Sequence, residues 1–179
     1  NIEMKDRKLL NSELGRVSAS EYKSLPNSGL VVVLDNVRSS HNIGSAFRTS
    51  DAFKVDKVVL CGICACPPSA EIHKSALGAE DSVPWKHYES TLDAISELKK
   101  EGYEVISIEQ TINSVSLEDF HHEDGKKYAF VFGNEVDGVQ QEVVNESNYT
   151  LEIPQFGTKH SLNISVTVGI VLWQARFGK

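Results

Sequence analysis

Residues 30–35 read LVVVLD, an apolar, largely β-branched run with no polar position before its last residue. A strand with one wet face alternates polar and apolar residues. A strand covered on both faces does not, and such strands belong to parallel sheets flanked by helices. Comparable runs recur as KVVLC at 57–61, YEVISI at 103–108, YAFVF at 128–132 and TLEIP at 150–154. Helical patterns lie between them. One is expected from about Ile43 to Phe53, and a short one near Glu71–Leu77, ended by Gly78. Ser90 caps TLDAISELKK, where Leu92, Ile95 and Leu98 share a face and Gly102 ends the helix. Leu162–Phe177 reads as a long apolar helix. This alternation predicts an α/β fold with a mostly parallel sheet flanked by helices. Ligands of such sheets bind beyond the carboxyl ends of the strands, so the segments after Asp35, Cys61, Phe132 and Ile153 carry the functional expectation.

Ahead of the first strand, Leu10, Leu14 and Val17 fall at helical spacing, and Ser18 with Glu21 fits a capping box for a second short helix. Pro26–Gly29 then break the pattern. The expected organisation is an N-terminal helical extension, 1–29, and one domain, 30–179. Asn1–Glu3 precede the only methionine, Met4, and are expected to be a remnant of expression. No basic-then-apolar leader opens the chain, and no apolar run is long enough to span a bilayer. Three closely spaced cysteines, an odd number in a core-rich chain, argue for a reducing compartment. The expectation is a soluble cytoplasmic protein without membrane contact.

A formal charge of −7 opposes nucleic acid at long range, so any nucleic-acid partner requires a local basic patch. Arg38, His41, Arg48, Lys54 and Lys57 are the candidates, against Asp51 and Asp56, with Lys5, Arg7, Lys8 and Arg16 in the N-terminal segment.

Three loops have chemical character. In DNVRSSHNIGSAFRTSDAF, 35–53, Asn42 is placed to cap a helix, Gly44 to admit a neighbouring chain and Arg48 to reach the loop end of the sheet; the bland alternative is a cap and a surface ion pair. In GNEVDG, 133–138, two glycines follow a strand, but the Lys and Ser/Thr of a phosphate loop are missing, and Glu135 and Asp137 repel phosphate. That loop suits a neutral or cationic ligand, or is a turn with solvated acids. In IPQFGTKHSLNISVTVGIVLWQ, 153–174, Ser161, Asn163 and Ser165 alternate with apolar residues at a helix start, which suits ligand binding through free N–H groups or a simple N-cap cluster. Cys61, Cys64, Cys66 and His73 have partial ligand spacing without the second pair a structural zinc site needs, so no metal is expected. His121 and His122 lie in an acidic loop and read as solvated.

Taken in order, these segments resemble the SpoU (TrmH) branch of the SPOUT RNA methyltransferases. Asn42-Ile-Gly…Arg48 is similar to the first motif of that family, Phe132-Gly-Asn-Glu-Val-Asp-Gly138 to the second, and Ile153-Pro…Ser161-Leu-Asn-Ile-Ser165 to the third. HKSALGAEDSVPW, 73–85, is similar to a stretch common in the branch. The resemblance implies a C-terminal trefoil knot and transfer of a methyl group from S-adenosyl-L-methionine to a ribose 2′-hydroxyl of structured RNA, tRNA or rRNA. It also implies a homodimer with the site at the interface. Gly133, Ile153 and Leu162 would contact the methyl donor. Arg48 would be the catalytic arginine, with Asn42, Glu135, Ser161 and Asn163 positioning it and the RNA. Gln155 stands where the third motif commonly has Met, and Thr167 and Gly169 where alanines are frequent. An RNA-binding or assembly protein that keeps this fold without catalysis is the alternative. With about thirty residues ahead of the first strand, substrate choice is expected from the N-terminal segment, the dimer groove or another protein.

Overall fold

The computed structural model describes residues 5–179, so Asn1–Glu3 and Met4 lie outside the described residues. Seven strands form one sheet: β1 (Leu30–Asp35), β2 (Lys57–Cys61), β3 (Trp85–Tyr88), β4 (Tyr103–Ile108), β5 (Val115–Ser116), β6 (Lys127–Phe132) and β7 (Tyr149–Glu152), in the order β3-β2-β1-β6-β4-β7-β5. Every pairing is parallel. The helices are α1 (Ala19–Ser24), α2 (Ser40–Ala52), α3 (Ala70–Ala76), α4 (Ala79–Ser82), α5 (Thr91–Lys100), α6 (Gln141–Glu146) and α7 (Ile164–Phe177).

The side chains of each central strand divide between two cores, as a doubly covered sheet requires. Leu30, Val32, Leu34, Phe130 and Phe132 face one side, where they meet Ile43 and Phe47 of α2, Ile72 of α3, and Val168, Val171 and Leu172 of α7. Val31, Val33, Val105, Ala129 and Val131 face the other, against Ala94, Ile95 and Leu98 of α5 and Val143 of α6. Among the described residues, no helix is long and apolar enough to cross a membrane.

The central strands follow the sequence expectation; the edges depart from it. β3 and β5 are short edge strands of partly exposed residues, so they lack the continuous apolar signal. The strand expected at 150–154 runs instead from Tyr149 to Glu152. In α5 the buried face is Thr91, Ala94, Ile95 and Leu98, while Leu92 is exposed. The N-terminal capping box is present: Ser18 Oγ accepts from the Glu21 N–H at 3.2 Å, and Glu21 Oε2 accepts from the Ser18 N–H at 2.6 Å. The helix expected before it is only a 3-10 turn, Asn11–Glu13, because Leu9, Leu10, Leu14 and Val17 are exposed and meet no apolar surface.

Helix α2 begins at Ser40, earlier than its apolar pattern suggests, because Ser39 is the cap: its Oγ accepts from the Asn42 N–H at 3.1 Å. Asn42 is therefore not the cap but a first-turn residue with its amide free for other contacts. Gly44 admits a neighbouring chain as expected, and that chain is α3. A Cβ there would overlap Ser75 Oγ and the Ile72 carbonyl oxygen. Ser75 Oγ in turn donates to the His41 carbonyl at 2.8 Å, fixing the first turn of α2. Gly44→Ala should destabilise the protein by about 3 kcal/mol through overpacking against backbone that has no room to move, measured as a fall in the urea midpoint at unchanged m-value.

Candidate functional site

The loops beyond the carboxyl ends of β1, β2 and β6 are joined by side chains that accept or donate backbone hydrogen bonds. Asp35, the last residue of β1, is fully buried. Its Oδ1 accepts from Thr91 Oγ1 at 2.6 Å and Asn36 Nδ2 at 3.1 Å, and its Oδ2 from the Gln140 N–H at 2.9 Å. Asn36 Oδ1 accepts from the Ile63 N–H at 3.1 Å. Asn134 Nδ2 donates to the Asn36 carbonyl at 2.6 Å, while Asn134 Oδ1 accepts from the Val136 N–H at 2.8 Å. Asn134 and Gly138 close a turn through two backbone hydrogen bonds of 3.0 Å. Gly133 is needed for that closure, because a Cβ there would overlap the Gly138–Val139 backbone.

Glu135 reaches out of this turn to the start of α2. Its carboxylate accepts from the Arg38 N–H at 3.1 Å, the Ser39 N–H at 3.0 Å and Asn42 Nδ2 at 3.3 Å. Partial burial pushes its pKa up, but these backbone and amide donors outweigh burial and hold it below the ordinary value. The acid of GNEVDG is thus the tie between the second motif and the first.

These contacts frame a cavity of about 630 Å³ beyond the carboxyl ends of β6, β4 and β7, within the usual range for small-molecule sites. Of the residues singled out in the sequence, Asn42, Gly133, Glu135, Ile153, Ser161, Leu162 and Asn163 line it; Arg48 does not. Asn163 caps α7, its Oδ1 accepting from the Ser165 N–H at 2.9 Å and Ser165 Oγ at 2.6 Å. The lining includes the carboxylates of Glu109, Glu135, Asp137 and Glu152, the imidazole of His160, and no Lys or Arg. Such a wall favours a neutral or cationic ligand over a phosphate.

Arg48 is exposed on α2, about 9 Å further along the helix axis than Asn42. Arg38 and His41 are exposed near the start of that helix. Lys54 and Lys57 do not join them. They lie at the opposite end of the sheet, Lys54 Nζ 4.6 Å from the Tyr22 ring centroid and Lys57 Nζ 2.7 Å from Glu101 Oε2. Arg7 pairs with Glu13 at 2.9 Å. The basic strip expected from the sequence is therefore shorter in space than in the chain.

The cysteines are packing residues. Burial pushes the Cys61 thiol up to about 12 and the Cys64 thiol up to about 11. Cys64 Sγ donates to the Leu34 carbonyl at 3.4 Å and accepts from the Val37 N–H at 3.2 Å. Among the described residues, no group of three or more His, Cys, Asp or Glu could hold a metal ion. His121 is exposed, while His122 packs edge-on against Tyr128 at a centroid distance of 5.0 Å.

Sequence reading missed Asp35, Asn134, Glu109 and Gln110. The first had an available signal: a lone acid at the end of an otherwise apolar strand demands buried partners.

Residues 29–173 match the SpoU rRNA Methylase family. A 23S rRNA (guanosine-2′-O-)-methyltransferase RlmB of Neisseria meningitidis serogroup B is 30% identical over 154 residues, covering 86% of this chain and 60% of that protein. A tRNA (guanosine(18)-2′-O)-methyltransferase of Aquifex aeolicus is 30% identical over 148 residues, 82% of this chain and 68% of that one. The solved AdoMet-bound rRNA methyltransferase from Sinorhizobium meliloti superposes with a TM-score of 0.76 at 30% identity, covering 82% of this chain and 55% of that one. The A. aeolicus TrmH/SpoU tRNA modifying enzyme gives 0.78 at 26% identity, with 88% and 79% covered. The chain spans about 60% of the length of the RlmB relative.

The lowered pKa of Glu135 fixes the sign of a pH effect. A carboxylate depressed by folding contributes its full stability above the unfolded value of about 4.3, and that contribution is lost as pH falls through the folded value. Wild type should exceed Glu135→Gln in stability at pH 7. The gap should close as the medium is acidified below about pH 4, read by urea unfolding at each pH.

Proposed function

This chain belongs to the SpoU rRNA methylase family, and from that premise we propose that it transfers a methyl group from S-adenosylmethionine to a ribose 2′-hydroxyl of structured RNA. The observation that carries the proposal is the convergence of all three motifs on one cavity lined by carboxylates and by no Lys or Arg. S-adenosylmethionine has no phosphate and bears a sulfonium cation, so the residues present fit it. Gly133, Ile153 and Leu162 would hold the donor. When bound, it supplies an electrophilic methyl group. What the chain must add is alignment and charge stabilisation at the attacking oxygen.

Glu135 and Asn42 lock the first turn of α2 to the cavity wall, so their part is positioning. Asn163 caps α7 and holds Ser161 and Leu162 at the cavity's edge. Arg48 would stabilise the developing alkoxide and grip the neighbouring phosphate. A free guanidinium, with a pKa above about 12, is a poor base. Since Arg48 does not line the cavity of its own chain, the reading has it serve the site across a homodimer interface. An exposed apolar stripe on α7 supports that assembly: Val166, Ile170, Trp173 and Phe177 are exposed at helical spacing, and Trp173 and Phe177 meet Phe53, just past α2, edge-on.

The trefoil knot belongs to the same proposal. β7 lies between β4 and β5, both of which precede it in the chain, an insertion that supports a threaded terminus. The proposal also includes the division into an extension, 1–29, and a catalytic domain, 30–179, although Tyr22 of the extension is already packed in the domain core. Three free thiols support a reducing, cytoplasmic setting.

Incubation with labelled S-adenosylmethionine and RNA from cells lacking the protein should place label on ribose 2′-oxygens at one position; no incorporation into any RNA would favour the non-catalytic reading. Arg48→Ala should lower turnover about 100-fold or more while leaving donor affinity within a few-fold, and Arg48→Lys should not restore it. Trp173→Glu should sediment as a monomer where the wild type sediments as a dimer, and should lose methyl transfer together with dimerisation.

A further inference from the structure

We infer that Glu109 and Gln110, just beyond β4, form a staple that fixes the separation of the two cavity walls, and that Glu109 is thereby a positioning residue for methyl transfer; the inference rests on the function proposed above. Glu109 Oε2 accepts from the Val139 N–H at 3.0 Å, and Oε1 accepts from the Gln110 N–H at 2.9 Å. Gln110 Nε2 donates to the His160 carbonyl at 2.8 Å. The dipeptide therefore grips the end of the GNEVDG turn with one side chain and the chain leading to Ser161–Asn163 with the next.

Two further observations separate this from a chance pair of surface contacts. Gly138 has φ +70°, and a Cβ on it would overlap Glu109 Oε2, so the second glycine of the turn makes room for this carboxylate as well as supplying the turn conformation. The neighbouring N–H groups of Val139 and Gln140 are each taken by an acid from a different strand end, Glu109 after β4 and Asp35 of β1. Val139 itself is buried in the core beneath. The wall is thus pinned from both sides of β6. The opposite wall, at His160, is tied through Gln110.

Glutamine at 109 keeps the shape but removes the charge, so the Val139 N–H loses a charge-assisted bond whichever way the amide turns: it meets either a weaker neutral oxygen or the NH2 group. Amide exchange at Val139, followed by NMR, should quicken by about tenfold or more in Glu109→Gln. Calorimetric affinity for S-adenosylmethionine should weaken by about tenfold in the same variant. Gln110→Ala should weaken the donor without changing Val139 exchange, because it releases only the His160 wall. Donor affinity within twofold of wild type in both variants would overturn the staple. If the wild type itself fails to bind S-adenosylmethionine, the proposed function falls, and Val139 exchange still decides the staple: an unchanged rate in Glu109→Gln refutes it.

Discussion

The carboxyl group of Asp35 has no contact with solvent, and every hydrogen bond it needs must come from the protein. It obtains them from three separate places: the next residue, the first turn of α5, and the backbone where the chain leaves the β6 loop. The position is central, at the end of the strand between β2 and β6. Everything at the carboxyl edge of the sheet is referred to it. Asn36, held beside it, orients the loops after β2 and β6, and Glu135 then ties the β6 loop to α2. Methyl transfer from a sulfonium demands alignment more than nucleophilic power. A frame of satisfied buried polar groups is how a loop-built site acquires that alignment.

Charge is distributed by task. The body is acidic, with a formal charge of −7, and the cavity shares that sign. The exposed basic side chains near the start of α2, Arg38 and His41, with Arg48 further along, sit outside the cavity. Under the proposed function a cationic donor and a polyanionic acceptor would thereby meet different surfaces, and a phosphate entering the cavity would meet carboxylates.

How far the sequence could be read follows from where each signal resides. Burial on both faces leaves a continuous apolar run, so β1, β2, β4 and β6 were visible. β3 and β5 are edges and were not, since WKHY and VS carry half-exposed residues. Asn42 was chosen from the right loop but given the wrong local duty. Ser39 competes for the cap, and only the fold reveals that the freed amide meets Glu135, 93 positions away. GNEVDG is legible as a loop without phosphate, suited to a neutral or cationic ligand or to a turn with solvated acids; what it does not carry is that Glu135 bonds Arg38, Ser39 and Asn42. Glu109 was illegible for the same reason: its partner lies 30 residues on, in a backbone N–H that carries no sequence signature.

The placement of β7 governs how such a chain is made. Synthesis delivers β4, β5 and β6 before the segment that must lie between the first two. Until Tyr149–Glu152 arrives, β4 has an open edge with unpaired backbone groups. α7, which closes both the apolar core and the rim of the cavity, comes later still. A nascent chain on the ribosome therefore carries a vacant slot shaped for a later segment of its own chain. The sheet and the rim of the cavity are completed only by these late elements, so any product cut short before Tyr149 exposes the β4 edge and is an aggregation hazard.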